Sequence, residues 1–175
     1  ATVHAQPLDP PYHALDFRML NTSNDPFPYY VDGRMKHPGT VLIGQIQSAA
    51  DQAFKSWEDI ACAYPAFQSL GLSTNNPQIL DPGDPYDVFN VVAYWVTDAA
   101  DPYYGLALGA GAASMASIPL SWAGTLYQCD IYINAVDYKW STLTPTPQDA
   151  LDLQTLLAHE VGHCMGLGHS EWPDD

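Results

Sequence analysis

His159-Glu160-Val161-Gly162-His163-Cys164-Met165-Gly166-Leu167-Gly168-His169 is the stretch on which the reading of this chain turns. Four residues advance an α-helix by about one turn, so His159 and His163 project from one face. Two imidazole nitrogens spaced in that way reach a single zinc ion at roughly 2.0–2.1 Å. Gly166 accepts the left-handed conformation that ends helices, and a sharp turn there brings His169 back towards the same point. Three neutral imidazoles leave a fourth tetrahedral position for water, which separates a catalytic zinc site from a structural one, and no thiolate is among the ligands. Glu160, beside the first histidine, reaches that water without ligating the ion. The bland alternative is three histidines that merely cap and pack, and it needs every offset to arise by accident.

Working outward, the helix that carries this stretch has a marked start. Thr146 suits the N-cap, Pro147 the first helical position, and Asp149 follows three residues after the cap. Leu153, Leu156, Leu157 and Val161 continue an apolar face towards the stop at Gly166. Upstream, residues 127–135 predict a strand built on Tyr127, Ile131, Tyr132 and Ile133. Residues 88–96 predict a mostly apolar strand buried on both faces. Short strands near a sheet edge are expected at 105–111 and 117–122. A first helix is expected to start at Thr40 after Pro38-Gly39, with apolar residues at Ile43, Ile46, Ala50, Ala53, Phe54, Trp57, Ile60 and Ala61, and Pro65 limits its length. Residues 21–33, 71–87 and 98–105 read as loops, and 15–20 as a first strand. Pro7, Pro10 and Pro11 predict an extended arm over 1–14, followed by one domain over 15–175.

Composition bounds the rest. The chain has 175 residues, enough for one domain with a real core. No apolar run approaches the roughly 20 residues that span a bilayer, so no membrane span is expected. Twenty acidic residues against five basic ones give a formal charge of −15, which repels phosphate backbones and argues against a nucleic-acid partner. Ala1-Thr2-Val3-His4 has neither the basic start nor the apolar block of a signal peptide, which fits a chain already processed. Few lysines, fifteen prolines and many Tyr and Trp point to a secreted protein. Three cysteines leave one unpaired, and the expectation is a Cys62–Cys129 disulfide with Cys164 packed separately. Asp81, Asp84 and Asp87 on one loop and Asp98 and Asp101 on another are candidate calcium ligands, weighed against the ordinary preference of Asp for turns. His4, His13 and His37 read as exposed spectators.

His159-Glu160-x-x-His163-x-x-Gly166-x-x-His169 resembles the metzincin motif, and Ser170 after the last histidine resembles the matrixin branch of those metallopeptidases. Ala53-Phe54-Lys55-Ser56-Trp57 is similar to part of that family's first long helix. Asp130-Ile131-Tyr132-Ile133-Asn134 is similar to the strand before its active-site helix, and Gly105-Leu106-Ala107-Leu108 to its substrate-binding edge. The resemblance implies an α+β fold, the upper subdomain of a metzincin. A twisted, mostly parallel five-stranded sheet would have one antiparallel edge strand and two long helices against it. It implies a secreted zinc endopeptidase with His159, His163 and His169 on one catalytic zinc and Glu160 as general base. Leu106, Ala107, Leu108 and Gly109 would pair with an extended peptide or protein substrate.

The sequence departs from the family at one place. The family has a methionine turn beneath the zinc, whereas Ser170-Glu171-Trp172-Pro173-Asp174-Asp175 holds no methionine and Met165 comes too early. The expectation is that the lower subdomain and much of the specificity-pocket wall are missing from this chain, either because a cut past Asp175 or a second polypeptide leaves the turn on a C-terminal companion fragment, or because the sequence stops short of it. No cysteine precedes Cys62, so no inhibitory cysteine segment is expected, and the gap between His37 and His159 leaves no histidines for a second, structural zinc. The alternative reading is a zinc-binding but inactive fragment or extracellular binding module. A zinc amidase acting on small substrates is a third.

Overall fold

The computed structural model describes residues 18–19, 26–34, 41–60, 65–74, 91–108, 111–117, 125–126 and 129–169. In chain order these form β1 (Arg18–Met19), β2 (Phe27–Asp32), α1 (Ile43–Glu58), β3 (Phe67–Ser73), β4 (Val91–Val92), β5 (Tyr94–Val96), a π-helical turn (Tyr104–Leu108), β6 (Ser114–Ser117), β7 (Thr125–Leu126), β8 (Asp130–Asn134), β9 (Trp140–Ser141), β10 (Leu151–Asp152) and α2 (Leu153–Cys164). The fold is mixed α+β, with two helices and small, mostly parallel sheets.

The helical period in 43–58 buries Ile46, Ala49, Ala50, Ala53 and Phe54 along one side of α1. Its N-cap is Leu42, whose amide donates to Gln45 Oε1 at 2.8 Å. Thr40, the expected cap, lies outside the described residues. At the other end, Glu58 Oε1 accepts from the Phe67 amide at 2.9 Å and ties the helix to β3.

β2 lies between β3 and β4, all parallel. The turn-rich reading of 21–33 is corrected here. Phe27, Tyr29 and Val31 alternate inward and are buried, and that period outweighs Pro26 and Pro28. The loop reading of 71–87 is corrected at its start. β3 runs to Ser73 because Gly71, at φ +85°, absorbs the register shift opposite Tyr29 and Val31.

The second sheet has the order β5-β8-β6, with β5 and β8 parallel and β6 antiparallel at the edge. The strand expected at 88–96 is interrupted at Ala93, whose φ of +54° ends pairing with β2 and starts pairing with β8. Hydrogen bonding therefore gives two three-stranded sheets sharing the segment Val91–Val92, Ala93, Tyr94–Val96, where one five-stranded sheet was expected. Asp32, 1% exposed, sits at the break. Its Oδ2 accepts from the Trp95 amide at 3.2 Å, and its two oxygens take Nε and Nη2 of Arg34 at 2.8 and 2.7 Å. Nη1 of Arg34 donates to the Tyr94 hydroxyl at 2.6 Å.

The edge strand expected at 105–111 is also corrected. Residues 104–108 form a π-helical turn that buries Leu108 against Tyr94, Val96 and Tyr132, and the Ala112 amide bonds back to the Leu108 carbonyl at 3.1 Å. Gly109 lies outside the described residues. The edge falls instead to β6, with Ser114 opposite Ile133 and Ser117 opposite Asp130.

α2 starts later than Thr146-Pro147 suggests. Its N-cap is Asp152, whose Oδ1 accepts from the Thr155 amide at 2.7 Å. The reason is tertiary. Trp140 is buried against Trp95, and β9 draws residues 151–152 into a parallel pair before the helix can begin. α2 packs on α1 through Trp57, whose indole nitrogen donates to the Ala158 carbonyl at 2.8 Å. A Cβ added at Gly162 would lie 3.0 Å from Cζ2 of that indole, so the close approach favours glycine, and a larger residue needs the indole to shift by a few tenths of an ångström. The expected disulfide is corrected as well. Cys129 pairs with Cys164, Cα–Cα 5.7 Å, and joins the approach to β8 with the end of α2. Pairing depends on which Cα atoms the fold brings within about 7 Å, and sequence order does not give that. Cys62 lies outside the described residues. Among the described residues no helix is long and apolar enough to cross a membrane.

Candidate metal centre

The end of α2 is fixed by its own backbone. Gly166, at φ +93°, follows the C-cap Met165. The Leu167 amide donates to the Gly162 carbonyl at 3.0 Å and the Gly166 amide to the His163 carbonyl at 2.9 Å. This is a Schellman turn, in which glycine alone avoids the Cβ penalty. It reverses the chain so that His169 returns to the face bearing His159 and His163.

The three Nε2 atoms form a nearly equilateral triangle. His159 to His163 is 3.1 Å, His163 to His169 is 3.1 Å, and His159 to His169 is 3.2 Å. Among the described residues this is the one group of three or more His, Cys, Asp or Glu side chains arranged to hold an ion. Hydrogen bonds alone do not account for it. His163 Nδ1 lies 2.7 Å from the Leu167 carbonyl and donates its proton there, which leaves a lone pair on the Nε2 of a neutral ring. The protons of the other two rings then satisfy at most two of the three contacts. A cation satisfies all three. Tetrahedral zinc bonded at about 2.0–2.1 Å needs nitrogens roughly 3.3–3.4 Å apart. The observed edges are a few tenths of an ångström shorter, so a small spreading admits the ion. Partial desolvation, with the charges of His163 and His169 adding to it and Glu160 opposing, holds His159 below the ordinary histidine value and favours its neutral, ligating form.

Glu160 points inward, 4% exposed. Its Oε1 accepts from Ser114 Oγ at 2.5 Å. Its Oε2 is buried without a partner. Among the described residues only Trp95 Nε1 and Tyr132 OH share that condition, and both are neutral donors inside the core. A bare carboxyl oxygen is the costlier orphan, and it is the kind that serves a reacting proton.

Of the other expected site residues, Asp98 and Asp101 are described in turns of their own. Asp98 Oδ1 accepts from the Ala100 amide at 2.9 Å, and Asp101 Oδ1 from the Tyr103 amide at 3.0 Å. Those carboxylates cap their own turns. Asp81, Asp84 and Asp87 lie outside the described residues. Leu106, Ala107 and Leu108 belong to the π-helical turn. Ser114 was missed by sequence reasoning. Nothing local marks it, because its partner depends on how β6 lies against α2.

Comparison with curated proteins found no match. The family model of the matrixins matches residues 89–175. That span takes in β4 to β8, α2 and the whole histidine motif, and the chain belongs to the matrixin-like metzincin family.

Proposed function

We propose that this chain is a secreted zinc-dependent endopeptidase that hydrolyses peptide bonds in extended peptide or protein substrates. The observation that carries the reading is the convergence of three imidazole nitrogens, with a buried, unpartnered carboxyl oxygen on the residue that follows His159. His159, His163 and His169 would hold the ion. When bound, zinc supplies Lewis acidity that polarises a carbonyl and activates water near neutral pH. Glu160 acts as general base through Oε2, taking a proton from the attacking water and later giving it to the leaving amine. An extended substrate would pair with β6, which has a strand on one side only among the described residues. The order β3, β2, β4 with β5, β8, β6 supports reading the two sheets as one twisted five-stranded sheet broken at Ala93. Calcium is left out at Asp98 and Asp101, because both are engaged in their own turns.

The test is cleavage of casein or a quenched fluorescent peptide, with and without chelator. Turnover should vanish with chelator and return with zinc. Glu160→Ala should keep one zinc per chain and lose turnover by about a thousandfold. Full activity in that variant sinks the general-base role. Stoichiometric zinc without turnover in the unaltered chain favours an inactive binding module.

A further inference from the structure

We infer that Ser114 is a positioning residue for Glu160, holding Oε1 so that Oε2 is the oxygen available for proton transfer. The inference rests on the peptidase reading above. Ser114 Oγ donates to Glu160 Oε1 at 2.5 Å across the space between β6 and α2. A glutamate side chain has three torsions, and a carboxylate with both oxygens free would sample several rotamers. One hydrogen bond on one oxygen removes most of that freedom.

The donor is itself anchored. The Asn134 amide donates to the Ala113 carbonyl at 2.9 Å, and Asn134 Nδ2 donates to the Ala112 carbonyl at 2.9 Å. Asn134 is fully buried, and its own carbonyl accepts from the Trp140 indole at 2.8 Å. Ser114 therefore stands on a backbone clamped from β8, at the start of the strand that would pair with substrate. Substrate and base would share one rigid reference. The type of donor matters too. A lysine or arginine would hold the carboxylate equally well but would drain its basicity through a full ion pair. A neutral hydroxyl positions it without that charge.

The test compares Ser114→Ala with the volume-matched pair Ser114→Thr and Ser114→Val, all zinc-loaded. Removing the hydroxyl should lower kcat about tenfold with KM within about twofold, since misplacing a reacting group costs rate more than binding. Zinc should stay at one per chain, and Ser114→Thr should recover most of kcat while Ser114→Val does not. The second readout needs no turnover. The chain has three glutamates, Glu58, Glu160 and Glu171, so protein labelled with 13C at the glutamate carboxyl gives three signals, and Glu160→Gln identifies one. That signal alone should move in Ser114→Val and return in Ser114→Thr. Equal kcat in the Thr and Val variants, loss of zinc along with kcat, or an unmoved Glu160 signal overturns the inference. If the unaltered chain turns over and Glu160→Ala does not, such a result leaves the peptidase reading standing. A zinc-loaded chain without turnover overturns both.

Discussion

Two polar clusters in this molecule are built on opposite plans. The Asp32 carboxylate takes four hydrogen bonds, from the amides of Arg34 and Trp95 and from Nε and Nη2 of Arg34. The same guanidinium bonds the Tyr94 hydroxyl and lies 3.6 Å over that ring. In that cluster both carboxylate oxygens are satisfied, and it holds the two sheets together where Ala93 breaks the strand. The Glu160 carboxyl takes one hydrogen bond, leaves an oxygen bare, and follows in the chain the first of three histidines whose ring nitrogens crowd one another. That cluster is open and is completed only by something added. Closed polar groups stabilise a fold, whereas open ones cost stability and are kept for chemistry.

The sharpest way to break this contrast is to neutralise one carboxylate in each cluster. Glu160→Gln should reduce turnover by about a thousandfold, yet leave the metal-free protein as stable as before or more so by about 1 kcal/mol, since it removes a buried, half-partnered charge. Asp32→Asn should do the reverse. It removes the buried carboxylate that Arg34 pairs with and should cost about 3 kcal/mol, read by chemical denaturation, with zinc still binding one per folded chain. A large stability loss in Glu160→Gln, or none in Asp32→Asn, would show that the two clusters are not of different kinds.

The open cluster must then be held from outside, and the Cys129–Cys164 bridge is the strongest candidate brace. It closes a loop of sequence separation 35 and ends next to His163. Replacing both cysteines with serine should cost about 3 kcal/mol. Zinc affinity measured by competition should fall with it, and unchanged affinity would mean that the glycine turn holds the histidines unaided. A smaller effect is expected at Gly162. Alanine there gains up to about 1 kcal/mol in helix propensity. Against that, its Cβ meets a Trp57 indole that is pinned by the Ala158 carbonyl. Overpacking of that kind costs about 1–3 kcal/mol, so a net loss of about 1 kcal/mol is expected from Gly162→Ala. A gain in the denaturation midpoint would show that the indole yields freely.

What the sequence revealed of this arrangement follows the range of the interactions. The histidine triangle was legible because its determinants lie within eleven residues: a one-turn offset, a glycine that reverses the chain, and a third ring. Both helices were legible from their apolar period. The start of α2 was misread because Thr146-Pro147 is a local cap signal, and the burial of Trp140 beside Trp95 overrode it. β2 was hidden by its prolines, although Phe27, Tyr29 and Val31 alternated in plain view. The Cys129–Cys164 pair, the Ser114–Glu160 bond and the Asp32–Trp95 bond join residues 35, 46 and 63 positions apart. No local pattern encodes these, since each depends on strand register or on how a helix lies over a sheet.

The smallest expected effect concerns protons competing for the open cluster. In metal-free protein His159 titrates below the ordinary histidine value, first through partial desolvation and then through the charges of His163 and His169. The unfolded chain therefore takes up its proton first as pH falls from about 6.5. Between there and the lower folded value the unfolded state binds more protons, so stability declines with falling pH across that window and is level above it. Metal-free protein should thus melt at a lower temperature at pH 5.5 than at pH 7.5, with part of the difference removed in His159→Gln. The Asp32 cluster contains no histidine and should contribute nothing to that part. An acid shift in melting temperature identical in His159→Gln and the unaltered chain would place the pH dependence elsewhere, and the open cluster would then lose its claim to be the molecule's acid-sensitive point.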